Sequence, residues 1–187
     1  MVRFQKFQNK YRITSNRRKD YDYSSTGSYF ITICTKNRKN LFGKIIRGTM
    51  QLNDLGKIAK ECWQEIPEHF LDVVLDEFVV MPNHIHGVLF LFHSVETNNY
   101  SSLQSRIIRN RPNGTRRTIG SIIRGFKIGV TKYVRDVHTE TNNDLSLPVI
   151  WQPNYYDRII RNEDELNRIR EYIFLNLKNW NKDDLNY

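Results

Sequence analysis

The sequence of 187 residues predicts an α+β domain: a ferredoxin-like split βαβ antiparallel sheet with helices on one face and a further helix at the C-terminus. Three observations carry this. Short apolar, β-branched runs alternate with helix-period stretches in the order β-α-β-β-α-β, and one more helix follows. Two of the runs are apolar on both faces and are separated only by Pro82-Asn83, so they are expected side by side in the middle of a sheet. The length suits one domain, and 39% hydrophobic residues suffice for a core.

Residues 1–20 read as a basic arm ahead of a single domain over 21–187. Up to Lys19 the arm carries Arg3, Lys6, Lys10, Arg12, Arg17, Arg18 and Lys19 and no acid. Tyr29 to Thr35 is β-branched and aromatic, hence a strand. Gly43 and Gly48 punctuate a small hairpin between Asn37 and Asn53. Leu55, Ile58, Ala59, Cys62 and Ile66 recur at helical spacing after the cap candidate Asn53, and Pro67 is expected to end that helix. Val73–Met81 and His84–Phe92 are the two buried strands. Residues 94–115 are polar and read as a loop. Ile119, Ile122, Ile123, Phe126, Val130 and Val134 then mark a long helix that Gly120, Gly125 and Gly129 weaken, so packing must hold it. Residues 139–148 read as a second polar loop. After strand material in 149–160, Asn162 with Glu165 three residues on forms a capping box for the last helix.

Lys+Arg total 29 against 20 Asp+Glu, a formal charge of +9. With 10 Tyr, 10 Phe and 3 Trp the chain is no disordered polyelectrolyte. Cations for phosphates and aromatic platforms for bases together suggest nucleic acid. The basic residues concentrate in one window, with Arg106, Arg109, Arg111, Arg116, Arg117, Arg124, Lys127, Lys132 and Arg135 and no acid between Gln104 and Arg135. This is either a solvated basic face or a DNA contact. Cys34 and Cys62 form no metal or disulfide spacing, so a reduced compartment is expected. The N-terminus has no apolar signal region, and no run approaches the roughly 18 apolar residues of a membrane helix. A cytoplasmic protein without membrane contact is the expectation.

Two patterns carry chemistry. His84 and His86 alternate on a strand and therefore share one face. Two adjacent imidazoles on a central strand need either hydrogen-bond partners or a metal ion, and a third ligand would have to come from elsewhere. On the last helix the apolar stripe is Leu166, Ile169, Ile173, Leu177 and Trp180. Tyr172 and Asn176, four residues apart, lie together along its edge. That pair is either part of an ordinary amphipathic helix, or a phenol and a carboxamide reaching into a site on the sheet. The other histidines, His69, His93 and His138, read as surface residues.

Pro82-Asn83-His84-Ile85-His86-Gly87 resembles the HUH motif of the single-tyrosine transposases, and Tyr172-Ile-Phe-Leu-Asn176 resembles their tyrosine helix. Trp151-Gln152 and Tyr155-Tyr156-Asp157-Arg158-Ile159-Ile160-Arg161, together with the opening strand, resemble the REP-associated tyrosine transposases in particular. The match runs from about Tyr21 to Trp180. The resemblance implies a ferredoxin-like enzyme that nicks single-stranded DNA, at hairpins, and transfers the strand through a 5′-phosphotyrosine intermediate. It implies Tyr172 as nucleophile and a Mg²⁺ or Mn²⁺ ion held by His84, His86 and Asn176. Relatives often carry Pro after that Asn, where this chain has Leu177, and Tyr155 and Tyr156 offer other phenols nearby. A homodimer and a monomer both remain open. The competing reading is a non-catalytic module on the same fold that binds DNA hairpins or RNA. The full set of His84, His86, Tyr172 and Asn176 separates the two, since a pure binder has no need of all four.

Overall fold

A computed structural model describes residues 21–92, 118–141, 149–183 and 185–186, with backbone alone for 138–141. β1 (Gly27–Cys34) alternates as a strand buried on both faces must: Tyr29, Ile31 and Ile33 point to one side, Phe30 and Thr32 to the other. A two-stranded hairpin follows, β2 (Gly43–Ile46) and β3 (Thr49–Leu52). Its two turn residues, Arg47 and Gly48, both have positive φ (52° and 75°), which suits the right-handed twist of the strands and favours glycine at the second position. α1 (Asp54–Gln64) starts where Asn53 Oδ1 accepts the Gly56 N–H at 2.9 Å.

Pro67 does not end α1. The helix stops at Gln64, and Pro67 lies in the first turn of a short helix α2 (Ile66–His69), where its missing N–H costs nothing. β4 (Val73–Val80) and β5 (His84–Leu91) form a hairpin across Pro82-Asn83, closed by Met81 N–H donating to the His84 carbonyl at 2.9 Å. α3 (Ile119–Thr141) runs into the segment expected to be a second loop. β6 (Tyr156–Ile160) and α4 (Glu163–Asn176) complete the chain, followed by a 3₁₀ turn over Trp180–Lys182.

The main sheet has the order β4-β5-β1-β6, all antiparallel, which is the split βαβ arrangement. β5 is central and buried along nearly its whole length, as expected. β4 is an edge strand with a bulge between Leu75 and Phe78, because Asp76 and Glu77 interrupt its apolar run. α1 and α3 cover one face, where Trp63, Ile122 and Phe126 meet Tyr29, Ile31, Ile85 and Leu89. α4 covers the opposite face. Its Leu166, Ile169 and Ile173 pack on Val88 and Ile160, flanked by Phe30, Val79 and Phe90. Each fully buried aliphatic side chain is worth roughly 1.5–3 kcal/mol, so packing, more than helix propensity, anchors this 14-residue helix. Among the described residues no helix is long and apolar enough to cross a membrane.

Candidate active site

The face that α4 covers is also the face to which His84 and His86 point. In register, Cys34 sits opposite His84, and Thr32 lies between His86 on β5 and Tyr156 on β6. Both histidines are buried, His84 completely. Each ring is oriented by a neighbour. Asn83 Oδ1 lies 2.7 Å from His84 Nδ1, and Thr32 Oγ1 lies 2.8 Å from His86 Nδ1. The two rings are 4.4 Å apart between centroids, and Phe30 stacks on His86 at 5.2 Å. Burial first, and then the Arg38 charge, pushes the His84 pKa down to about 3; burial and the neighbouring His84 do the same for His86 against an opposing pull from Asp183. Both imidazoles are therefore neutral near pH 7, the form that binds a cation.

α4 brings Tyr172 and Asn176 to the same place. Ile169 and Ile173 face the sheet, so Tyr172 falls at the border of the buried stripe and Asn176, one turn on, falls beneath it. The Tyr172 hydroxyl is 3.2 Å from His86 Nε2, and Phe30 meets the phenol ring edge-on at 6.0 Å. The phenol is 45% exposed, while Asn176 is buried. Asn162 caps the helix through Glu165 N–H at 2.9 Å. The return half of the expected capping box is absent. The Glu165 carboxylate instead accepts the Arg161 N–H at 3.0 Å and pairs with Arg158 at 2.6 Å, tying β6 to the start of the tyrosine helix. Leu177 keeps helical angles, yet the regular helix ends at Asn176 and the chain turns into the tail.

The two groups border a cleft of about 790 Å³. Arg38, Arg168 and Lys182 lie along its walls with Tyr156 and the carboxylates of Glu171 and Asp183, so cations outnumber acids around the phenol. Tyr155 lines a different groove, on the α3 side. Of the three phenols, Tyr172 is thus the one hydrogen-bonded to a histidine of the pair. Asp183 comes in from the tail: its Oδ2 is 3.9 Å from His84 Nε2, and one donor atom each from His84, His86 and Asp183 lie within 4.8 Å of one another. Three buried polar atoms here have no hydrogen-bond partner, His84 Nε2, Asn176 Oδ1 and Asp183 Oδ2. Sequence reasoning missed Asp183, Arg38, Arg168 and Lys182. The signal available for Asp183 was only the need for a further ligand beyond the two histidines.

Of the expected DNA contacts, Arg124 and Lys127 fall among the described residues. Arg106, Arg109, Arg111, Arg116 and Arg117, like the arm 1–20, lie outside the described residues. Arg124 is exposed on α3 and borders the groove on that side of the sheet, away from the histidines. Lys127 borders it too, but its ammonium donates to the carbonyls of Gln152 at 2.8 Å and Asn154 at 3.0 Å, so it holds the segment before β6. Burial pushes its pKa down to about 8. His69 is exposed as expected, while the side chains of His93 and His138 lie outside the described residues.

No family model matches the chain. An uncharacterized protein of Haemophilus influenzae (strain Rd) is 47% identical over 171 residues, which are 91% of each chain. Among solved structures, the REP-associated tyrosine transposase bound to a REP hairpin superposes with a TM-score of 0.52 at 19% identity, over 87% of this chain and 72% of that one. The chain therefore belongs to the family of the Haemophilus influenzae protein and has the fold of the REP-associated tyrosine transposase.

Proposed function

We propose that the protein is a transposase that nicks single-stranded DNA beside a hairpin and transfers the strand, with Tyr172 as nucleophile. One observation carries the reading: the Tyr172 hydroxyl stands at the edge of a cleft that holds Arg38, Arg168 and Lys182, 3.2 Å from Nε2 of a buried histidine that is one of a pair. A solved structure with this fold is a REP-associated tyrosine transposase bound to a REP hairpin, which supports the choice of substrate.

The donor set fits a divalent cation. His84 Nε2 and the carboxamide oxygen of Asn176 are buried Lewis bases with no hydrogen-bond partner, and the neutral imidazole of His86 stands beside them with the Tyr172 hydroxyl on its Nε2. His84, His86 and Asn176 would hold Mg²⁺ or Mn²⁺. The chemistry supplied there by a bound ion is Lewis-acid withdrawal of charge from the non-bridging oxygens of the scissile phosphate.

The chain's own residues do the rest. The Tyr172 oxygen attacks phosphorus, the bond to the 3′ oxygen breaks, and the 5′ phosphate stays on the tyrosine. The proton lost by the phenol balances the one gained by the departing 3′ oxygen. A free phenol has a pKa of about 10, so the positive charge of Arg38, Arg168 and Lys182 around the cleft favours the oxyanion as it develops. The same side chains neutralise flanking phosphates. Phe30 and Thr32 hold the ring of His86, against which the phenol rests. Because the phosphodiester energy is kept in the phosphotyrosine, attack by another 3′-OH reverses the step and joins a new strand without a nucleotide cofactor. Incubating the protein with a labelled hairpin-plus-tail oligonucleotide and Mn²⁺ tests this on a denaturing gel. A covalent band is expected from the wild type and none from Tyr172→Phe; no band from either would refute the nuclease reading.

A further inference from the structure

Resting on the metal-centre reading above, we propose that Asp183, on the tail beyond the tyrosine helix, is a further ligand of the same cation. The argument starts at Asn83. Its Nδ2 donates to the carbonyls of Leu185 at 2.7 Å and Arg38 at 3.2 Å, so the orientation of the amide is set. Its Oδ1 must then accept, and the group it meets at 2.7 Å is His84 Nδ1. That nitrogen carries the ring hydrogen, which leaves a bare lone pair on Nε2. Asp183 Oδ2, another set of lone pairs, lies 3.9 Å from it. No hydrogen bond spans that gap. Both atoms are buried and neither has a partner, and the same holds for Asn176 Oδ1. Burying unsatisfied acceptors is costly. A cation among them removes the cost.

The donors converge: one atom each from His84, His86 and Asp183 lie within 4.8 Å of one another, with 3.9 Å between His84 Nε2 and Asp183 Oδ2. The carboxylate is also positioned. Asp183 Oδ1 accepts the Leu185 N–H at 2.8 Å, which leaves Oδ2 for the site. Asn83 therefore sets the tautomer of His84 and anchors the tail that carries Asp183. The added carboxylate is the one charged donor in an otherwise neutral set.

Calorimetric titration of Mn²⁺ into the full chain near neutral pH tests the assignment. Asp183→Asn keeps an Oδ1 for Leu185 and loses only the charged oxygen. It is expected to weaken Mn²⁺ binding by about tenfold or more, since even indirect partners of a ligand are worth 10–100-fold. His86→Ala is expected to abolish binding, and Asp54→Asn, an exposed acid paired with Lys57, to leave it unchanged. Wild-type affinity in Asp183→Asn with binding lost in His86→Ala would overturn the role of Asp183 and spare the histidine centre. Wild-type affinity in both variants, or no saturable binding by the wild type, would overturn both. Should Asp183→Asn fail to fold, a difference infrared spectrum of the wild type with and without Mn²⁺ reads the carboxylate directly. A shifted carboxylate band supports the ligand, and its absence refutes it.

Discussion

Gly87, the residue after His86, tests how tightly the two sides of the sheet are coupled. It sits on the central strand β5, and its bare Cα faces Trp63 of α1. A Cβ there would overlap Trp63 Cζ2, and come within 2.9 Å of its Cε2 and 3.1 Å of Phe78 Cβ. The indole cannot swing aside, because it is fully buried between Phe78 and Phe126, with ring centroids 6.2 and 5.4 Å away. The strand cannot back away either, since it pairs with β4 on one side and β1 on the other. Overpacking a close-packed core costs typically 1–3 kcal/mol, and with both relief routes closed Gly87→Ala belongs at about 3 kcal/mol. For a domain of this length that is a fall of about 6–12 °C in Tm. Any backbone shift displaces His86 by the same amount, against a Thr32 contact of 2.8 Å, so Mn²⁺ binding should weaken as well. Thermal melts of Gly87→Ala in wild-type and Trp63→Phe backgrounds separate the cause: the penalty should shrink when the indole is smaller. A melting point within about 1 °C of wild type, or equal penalties in both backgrounds, would refute the steric argument.

Tyr172→Phe removes only the hydroxyl from a residue that is 45% exposed, so it should change stability by no more than about 1 kcal/mol and leave DNA binding intact while abolishing cleavage; melts, gel shifts and the nicking gel read the three. His84→Ala and His86→Ala should each abolish metal-dependent cleavage, and Asn176→Ala should weaken it less, because imidazole is the stronger ligand; Mn²⁺ calorimetry ranks them. The Arg161 N–H and the Arg158 guanidinium hold the Glu165 carboxyl below its ordinary value of 4.5. Its folded pKa being depressed, its stabilisation is present above the unfolded pKa and is lost as pH falls through the folded one. Glu165→Gln should therefore lower Tm near pH 7 and converge on wild type as the pH falls through the folded pKa, and curves that stay parallel throughout would count against the contact.

What the sequence made legible follows local rules. Period-2 alternation placed His84 and His86 on one face, and helical spacing with a cap at Asn162 put Tyr172 above Asn176. Both hold because a neighbour in sequence decides them. The rest depends on partners far along the chain. β4 reads as a buried strand in isolation, yet its edge position follows from sheet order. Pro67 reads as a stop, yet a second helix starts around it. Glu165 has the spacing of a capping box, but Arg158 on β6 offers a charged partner and wins. Asp183 had no local signal, since a contact between Asn83 and Leu185, 102 residues apart, delivers it to the site. Lys127 reads as one more basic residue of the charged window, and its task of holding two carbonyls appears only in three dimensions.

The central claim is that one phenol takes the 5′ phosphate of a single DNA strand. The direct measurement is to trap the adduct on a hairpin-plus-tail substrate with Mn²⁺, digest it, and locate the nucleotide-bearing tyrosine by mass spectrometry, with fully paired duplex in parallel. The account predicts a 5′-linked nucleotide on Tyr172 and no adduct on duplex. A nucleotide on Tyr155 or Tyr156, a 3′ linkage, or equal adduct on duplex would contradict it.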